Sequence, residues 1–295
     1  MKHRIDPRVD FAFKLLLGTE ENKDLLVHFL NAVLRPPQPI REVTLLDPFI
    51  PAQYKGDNRA ILDVLATDDQ GARMDVEIQM QVRPSLVNRM TYVAADMYQH
   101  QMAESGAYND LRPVHSIWVL TENLFRGSRR WQHHFQLWDP LANLRLSDHV
   151  NVHTIELRKW HPPEGPLAPL DEWVYFLAQA RRWTTLPPNL QSREMKKAMS
   201  VLTQISDRSE NYYQYRARLD WEREQRTIER EREETRRELE QAQAAREQAQ
   251  AAKEQERAAK EQAQAARIRA EEREERLRAE TEALRARLRA LGQDV

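Results

Sequence analysis

Apolar and polar residues alternate strictly from residue 74 to residue 80. Met74, Val76, Ile78 and Met80 are apolar, and Asp75, Glu77 and Gln79 lie between them. Side chains alternate faces along a strand, so the pattern predicts a strand over 73–81 whose three polar groups share one face. A second apolar run, 59–67, holds Asp63 in its middle, where an acid is ordinarily depleted from a strand. Asp68-Asp69-Gln70-Gly71 separates the two runs and predicts a turn, which would set the strands side by side.

The flanking periodicities predict the rest. Residues 11–34 carry Phe13, Leu16, Leu17, Leu25, Leu26, Phe29 and Leu30 at helical spacing, with a break near Gly18-Thr19 and a stop at Pro36-Pro37. Residues 43–49 predict a strand. Pro84-Ser85 opens a helix with Ser85 as its cap and Leu86, Met90, Val93, Ala94, Met97 and Gln101 along one face, ended by Gly106. Residues 114–120 are another strand, 135–138 and 152–157 are further candidates, and prolines punctuate a helical remainder to about residue 215. The order helix, three strands, helix, strand predicts an α/β fold in which a helix crosses between strands.

Composition changes near residue 210. Beyond Trp221 the chain is almost entirely Glu, Arg, Gln, Ala and Lys, with no Pro, and no Gly until Gly292. Such a segment favours helix. AAREQAQ, AAKEQER, AAKEQAQ and AARIRAE follow one another from residue 244 to 271 at the coiled-coil period. One heptad position carries Trp221, Ile228, Leu277, Leu284 and Leu291, but its companion holds Ala245, Ala252, Ala259 and Ala266 and then charges. The expected division is therefore a domain over 1–215 and a long charged helix over 216–295. That helix is either a weak coiled coil supporting homo-oligomerisation or a solvated helix braced by Glu/Arg and Glu/Lys pairs.

Of 295 residues none is cysteine, which excludes disulfides, thiolate metal sites and thiol nucleophiles. The net charge of -1 provides no global field toward nucleic acid. No apolar signal core opens the chain and no run is long enough to cross a bilayer, so the expected compartment is the cytoplasm, with no membrane partner. With seven glycines, no Gly-rich phosphate loop is present. His133, His134, His149 and His153 fit no zinc-ligand spacing, and the tryptophans read as packing groups.

Asp63 and Glu77 are the best candidate pair. Mg²⁺ takes oxygen ligands, commonly one or two carboxylates completed by phosphate and water. Carboxylates projecting from adjacent strands meet that need. Gln79 points the same way and could hold a water or a phosphate oxygen, although it cannot act as a base. The plain alternative is that Asp63 pairs locally and Glu77 faces solvent.

Several ordered blocks resemble one family. Asp10-Phe11-Ala12-Phe13-Lys14-Leu15-Leu16-Leu17-Gly18, then Glu21-Asn22-Lys23-Asp24-Leu25-Leu26, is similar to the opening of the Rpn family of recombination-promoting nucleases and transposases, within the PD-(D/E)XK nuclease superfamily. Ile61-Leu62-Asp63-Val64, Val76-Glu77-Ile78-Gln79, and Tyr92, Tyr98, Gln101 and Gly106-Ala107-Tyr108 also match its pattern, over about residues 6–215. The resemblance implies a restriction-endonuclease-like core and Mg²⁺-dependent (or Mn²⁺-dependent) cleavage of DNA, linked to recombination or mobile elements. It implies Asp63 and Glu77 as metal ligands and Gln79 as a catalytic group where many relatives have Lys. Asp10 is either a third acid near the metal or a helix cap. Tyr98 and Gln101 are either accessory site residues or helix packing. Lys14, Arg83 and Arg89 lie near these motifs and are candidate phosphate contacts. The competing expectation is a catalytically idle nuclease fold whose coiled tail recruits a partner.

Overall fold

The computed structural model describes residues 5–47, 63–102 and 106–290. The first predicted helix is two, α1 (Asp10–Leu17) and α2 (Lys23–Leu34), separated by a 3₁₀ turn over Glu20–Asn22. Gly18 makes the break. Its N–H bonds Lys14 O at 2.7 Å, and a Cβ there would lie 2.9 Å from that carbonyl and 3.1 Å from Val64 Cγ2. Only glycine lets α1 come this close to the neighbouring strand, and the approach sets Lys14 beside Asp63.

The strands β1 (Val43–Leu45), β2 (Val64–Asp68) and β3 (Arg73–Gln79) form an antiparallel meander. The turn between β2 and β3 is tied by Asp68, whose Oδ1 accepts from the N–H groups of Gln70 (2.9 Å) and Ala72 (2.8 Å). Gly71 takes φ +84°, a conformation in which any side chain is strained. Helix α3 (Leu86–Gln99) crosses over and returns the chain as β4 (Val114–Leu120), parallel to β3. β5 (Gln132–Phe135) and the small hairpin of β6 (Trp138–Asp139) and β7 (Leu144–Arg145) precede β8 (Val150–Glu156), which pairs parallel to β4. The six-stranded order is β1-β2-β3-β4-β8-β5.

Helices cover both faces of this sheet. Val64, Ala66, Met74, Val76, Ile78, Ile117 and Val119 face a core built with α1, α2, α4 (Pro169–Gln179) and α5 (Arg193–Asp207). Leu65, Trp118 and Leu120 face α3 through Leu86, Met90, Val93 and Met97. Trp173 of α4 is fully buried, donates from Nε1 to His28 Nδ1 at 2.9 Å and meets Phe29 edge-on at 5.6 Å. Trp173→Ala is expected to cost about 3–5 kcal/mol, read as a lower urea midpoint.

The chain divides into two compact units, Met1–Leu219 and Asp220–Val295. Helix α6 (Ser209–Ala290) begins within the first, where Tyr215 packs with Ile5, Val9, Ala12 and Ile205. The second unit is the long charged helix. Arg257–Glu261 (3.0 Å), Arg267–Glu271 (3.0 Å) and Arg278–Glu274 (2.7 Å) brace it at i,i+4 spacing, and Leu277 and Leu284 are exposed. Among the described residues no helix is long and apolar enough to cross a membrane.

Several boundaries differ from those read off the periodicity. Asp63 is not mid-strand: it immediately precedes Val64, the first residue of β2, and residues 59–62, with Ile61 and Leu62, lie outside the described residues. β1 ends at Leu45 rather than 49, because its pairing with β2 is three residues long. The strand expected at 135–138 is displaced to Gln132–Phe135, since that stretch pairs with Ile155–Val152 of β8. Ser85 precedes α3 in an αR conformation and its side chain accepts no capping hydrogen bond.

Candidate active site

The register Val64↔Val76, continued by one residue, sets Asp63 opposite Glu77. Each acid reaches into the other's strand. Asp63 Oδ2 accepts from the Ile78 N–H at 2.9 Å, and Glu77 Oε1 accepts from the Asp63 N–H at 3.1 Å. These bonds hold two carboxylates at one end of the β2–β3 pair. Gln79 follows on the same face and is half-buried.

Each acid is met by a cation from a different helix. Lys14 of α1 lies 3.4 Å from Asp63 Oδ1. Arg89 of α3 lies 3.2 Å from Glu77 Oε2, with its second terminal nitrogen 3.5 Å from Gln79 Oε1. The guanidinium also sits over the Trp118 ring, 5.3 Å from its centroid. Trp118 is held in turn, its Nε1 donating to Ser116 Oγ at 2.7 Å, and Ser116 Oγ donating to Asp75 Oδ2 at 3.3 Å.

Asp75 is therefore part of the cluster. It is fully buried, on the α3 side of the sheet with Glu77, and its Oδ1 has no hydrogen-bond partner in the protein. The expectation of a shared polar face holds, but the face is covered by α3 rather than open to water. Burial is the first cause of perturbation for all three acids. It raises Glu77 to about 8, with the nearby Asp63 charge adding to it and Arg89 opposing. It raises Asp63 as well, against the Ile78 N–H and Lys14. Asp75 is pushed well above the ordinary carboxylate range by burial and then by Glu77 and Asp63. Three acids so placed form a strong local demand for positive charge.

Comparison with known proteins identifies the family of the chain. The family model of the PD-(D/E)XK nuclease family transposases matches residues 7–231. The chain belongs to this family. No curated protein and no solved structure matches it. The match extends past the expected end near residue 215 and into α6. A helix, three strands, a crossing helix and a strand, with a long C-terminal helix, are a PD-(D/E)XK core with a helical extension.

The remaining predicted residues fall in different places. Asp10 is the first residue of α1, with Val9 at the cap position; its Oδ1 accepts from the Phe11 N–H at 2.7 Å and its charge acts on Asp63. Tyr98 and Gln101 are not brought to the Asp63–Glu77 end. The Tyr98 hydroxyl bonds His149 Nδ1 at 2.9 Å. Gln101 clamps the Arg112 backbone with two bonds of 2.9 Å, just ahead of β4. Both contacts lie at the start of β4, whereas Gln79 pairs with its last residue, Leu120. Among the histidines, His134 stacks on His153 at 4.2 Å and His115 Nδ1 lies 3.3 Å from His153 Nε2. His133 instead bonds Ser128 Oγ. Among the described residues no group of three or more His, Asp or Glu side chains is arranged to hold a metal ion.

The sequence pattern put Asp75 on the shared polar face but gave it no role, and it offered Arg89 only as a phosphate contact rather than as the partner of Glu77. Asp75 carried a signal, since it alternates in phase with Glu77. Arg89 carried none beyond its nearness in sequence, because its reach to Glu77 depends on how α3 lies across the sheet.

Proposed function

We propose that this protein is a divalent-metal-dependent DNA endonuclease, hydrolysing phosphodiester bonds in recombination or mobile-element processes, with Asp63 and Glu77 as metal ligands. The observation that carries it is the pair of carboxylates locked to each other's backbone at 2.9 and 3.1 Å, where burial raises the proton affinity of both. The donor set suits Mg²⁺ or Mn²⁺: two hard oxygen ligands, with room in the coordination shell for water and phosphate. When bound, such an ion supplies Lewis-acid polarisation of a phosphoryl oxygen and lowers the pKa of a coordinated water.

The chain's own residues supply the rest. Lys14 and Arg89 already lie against the two acids and keep the site's net charge low enough for a phosphodiester to enter. Gln79 offers an amide N–H₂ to a water or a phosphate oxygen and an acceptor to Arg89. Arg89 puts a permanent guanidinium where the (D/E)XK triplet would place its Lys, so the positive charge comes from α3 rather than from β3. Trp118 and the Ser116–Asp75 chain fix its position.

Calorimetry with Mn²⁺ and a plasmid-nicking assay test the reading together. The wild type is expected to bind Mn²⁺ and nick, and Asp63→Ala and Glu77→Ala to do neither. Nicking that survives in either variant would remove that residue from the site. A ligand carboxylate must be ionised. Because Glu77 is raised to about 8, Mn²⁺ affinity is expected to rise roughly tenfold per pH unit up to that value and then level off. Affinity flat between pH 6 and 8 would contradict it.

A further inference from the structure

We propose that the loop joining β4 to β5, residues 121–131, is a grip for the phosphate backbone of duplex DNA, with Arg126, Arg129 and Arg130 as its contacts. The proposal rests on the nuclease reading for the choice of DNA as the polyanion. The three arginines fall within five residues and are all exposed. Among the described residues none of them has an ion-pair or side-chain hydrogen-bond partner. The contrast is with the C-terminal helix, where Arg257, Arg267 and Arg278 each face a Glu. A surface ordinarily intersperses charges of opposite sign, and a cluster of one sign is a means of steering and anchoring a charged partner.

The loop is anchored rather than loose. Lys159 Nζ donates to Phe125 O at 2.7 Å, the Leu124 N–H donates to Glu156 Oε2 at 3.0 Å, and Ser128 Oγ lies 2.8 Å from His133 Nε2 and accepts the Arg130 N–H at 3.2 Å. The acids near it are matched by other cations: the buried Glu156 by Lys159 at 2.7 Å, and Glu122 by Arg158 at 3.6 Å. Among the described residues no acid pairs with the three arginines, and a loop backbone already held in place loses little freedom when its guanidinium groups fork onto phosphate.

Its position fits the candidate site. The loop leaves β4 at Leu120, the register partner of Gln79, and the Thr121 N–H bonds Gln79 O at 3.1 Å. It therefore springs from the same end of the sheet as Glu77 and Gln79. Lys14 and Arg89 are already engaged by Asp63 and Glu77, and a whole-chain charge of -1 offers no further field, so anchorage of a polyanion has to be local. Gly127, between the arginines, is not demanded by packing, because a Cβ there would meet no atom within 4 Å. A bare backbone is what a close approach by a ligand uses.

Anisotropy of a short fluorescein-labelled duplex, measured in EDTA over a salt series, tests this on the full chain. The triple variant Arg126→Ala, Arg129→Ala, Arg130→Ala is expected to bind roughly 10- to 100-fold more weakly than wild type and to lose about 2–3 from the slope of log affinity against log salt. The corresponding triple Lys variant is expected to keep the slope, and a triple Gln variant, which removes the charge but keeps a long polar side chain, is expected to lose it and carries the test if the Ala variant does not fold. Wild-type affinity and slope in the Ala variant, or a wild type that does not bind duplex, would overturn the loop assignment. Mn²⁺ calorimetry on the same proteins separates the two readings. A loop-dependent binder that takes no metal and does not nick supports the grip and overturns the nuclease reading alone. Wild-type nicking with a loop that makes no difference to binding overturns the grip alone.

Discussion

Glu77→Gln is expected to abolish DNA cleavage and, at pH 8, to make the protein more stable. The loss follows from removing one of two ligand carboxylates, and a decrease of at least ~10³-fold corresponds to about 4 kcal/mol of barrier. The gain follows from burial. Glu77 is 2% exposed and raised from 4.5 to about 8 in the fold. An acid whose folded value is raised keeps its proton in the native state while the unfolded chain releases it. The contribution of Glu77 to native stability is therefore fully present below about pH 4.5 and is lost as pH rises toward 8. Gln has the shape without the titration and avoids that loss, a difference of up to ~4 kcal/mol at pH 8. The melting temperature should rise by about 2–4 °C for each kcal/mol recovered, with the gap closing as the pH approaches 4.5. A Gln variant that melts no higher than wild type at pH 8 would show that the protein compensates the Glu77 charge fully. An acid kept at the expense of stability is what a working site would retain.

Arg89→Ala is the second large effect. The guanidinium touches Glu77 at 3.2 Å and Gln79 at 3.5 Å and lies over Trp118. Removing a preorganised charge of this kind should lower cleavage by about 10²–10³-fold, and Arg89→Lys should restore part of it. A structural role alone would not move the second readout. Without Arg89, the factor that most opposes the upward shift of Glu77 is gone, so the midpoint of the pH dependence of Mn²⁺ binding should move to higher pH. Unchanged cleavage with an unmoved midpoint would return the charge-stabilising role to Gln79 or leave it unfilled.

Much of this was readable along the chain. The alternation at 74–80 named β3 and its acids, the turn at 68–71 named the hairpin, and Pro84 named the start of the crossing helix. These signals are local: strand periodicity, turn chemistry and helix stops act over a few residues. The boundaries missed at β1 and β5 have a different origin, since a strand ends where its partner ends. Tyr98 shows a similar ambiguity, because it lies on the same helix as Arg89 and only the sheet register shows which end of that helix meets the acids, while Gln101 lies just past the helix's far end.

The sequence by itself determined the order of the central elements, the family blocks, the two acids brought together by one hairpin and the helical character of the C-terminal segment, because periodicity and composition encode them directly. Only the tertiary structure decided that the polar face of β3 is buried under α3, that Asp75 joins the cluster, and that Arg89 and Lys14 bring charge to it from two helices. Proton affinity and charge compensation depend on burial and on distances across the fold, and residues ten to fifty positions apart acquire those distances only when helices and strands have packed.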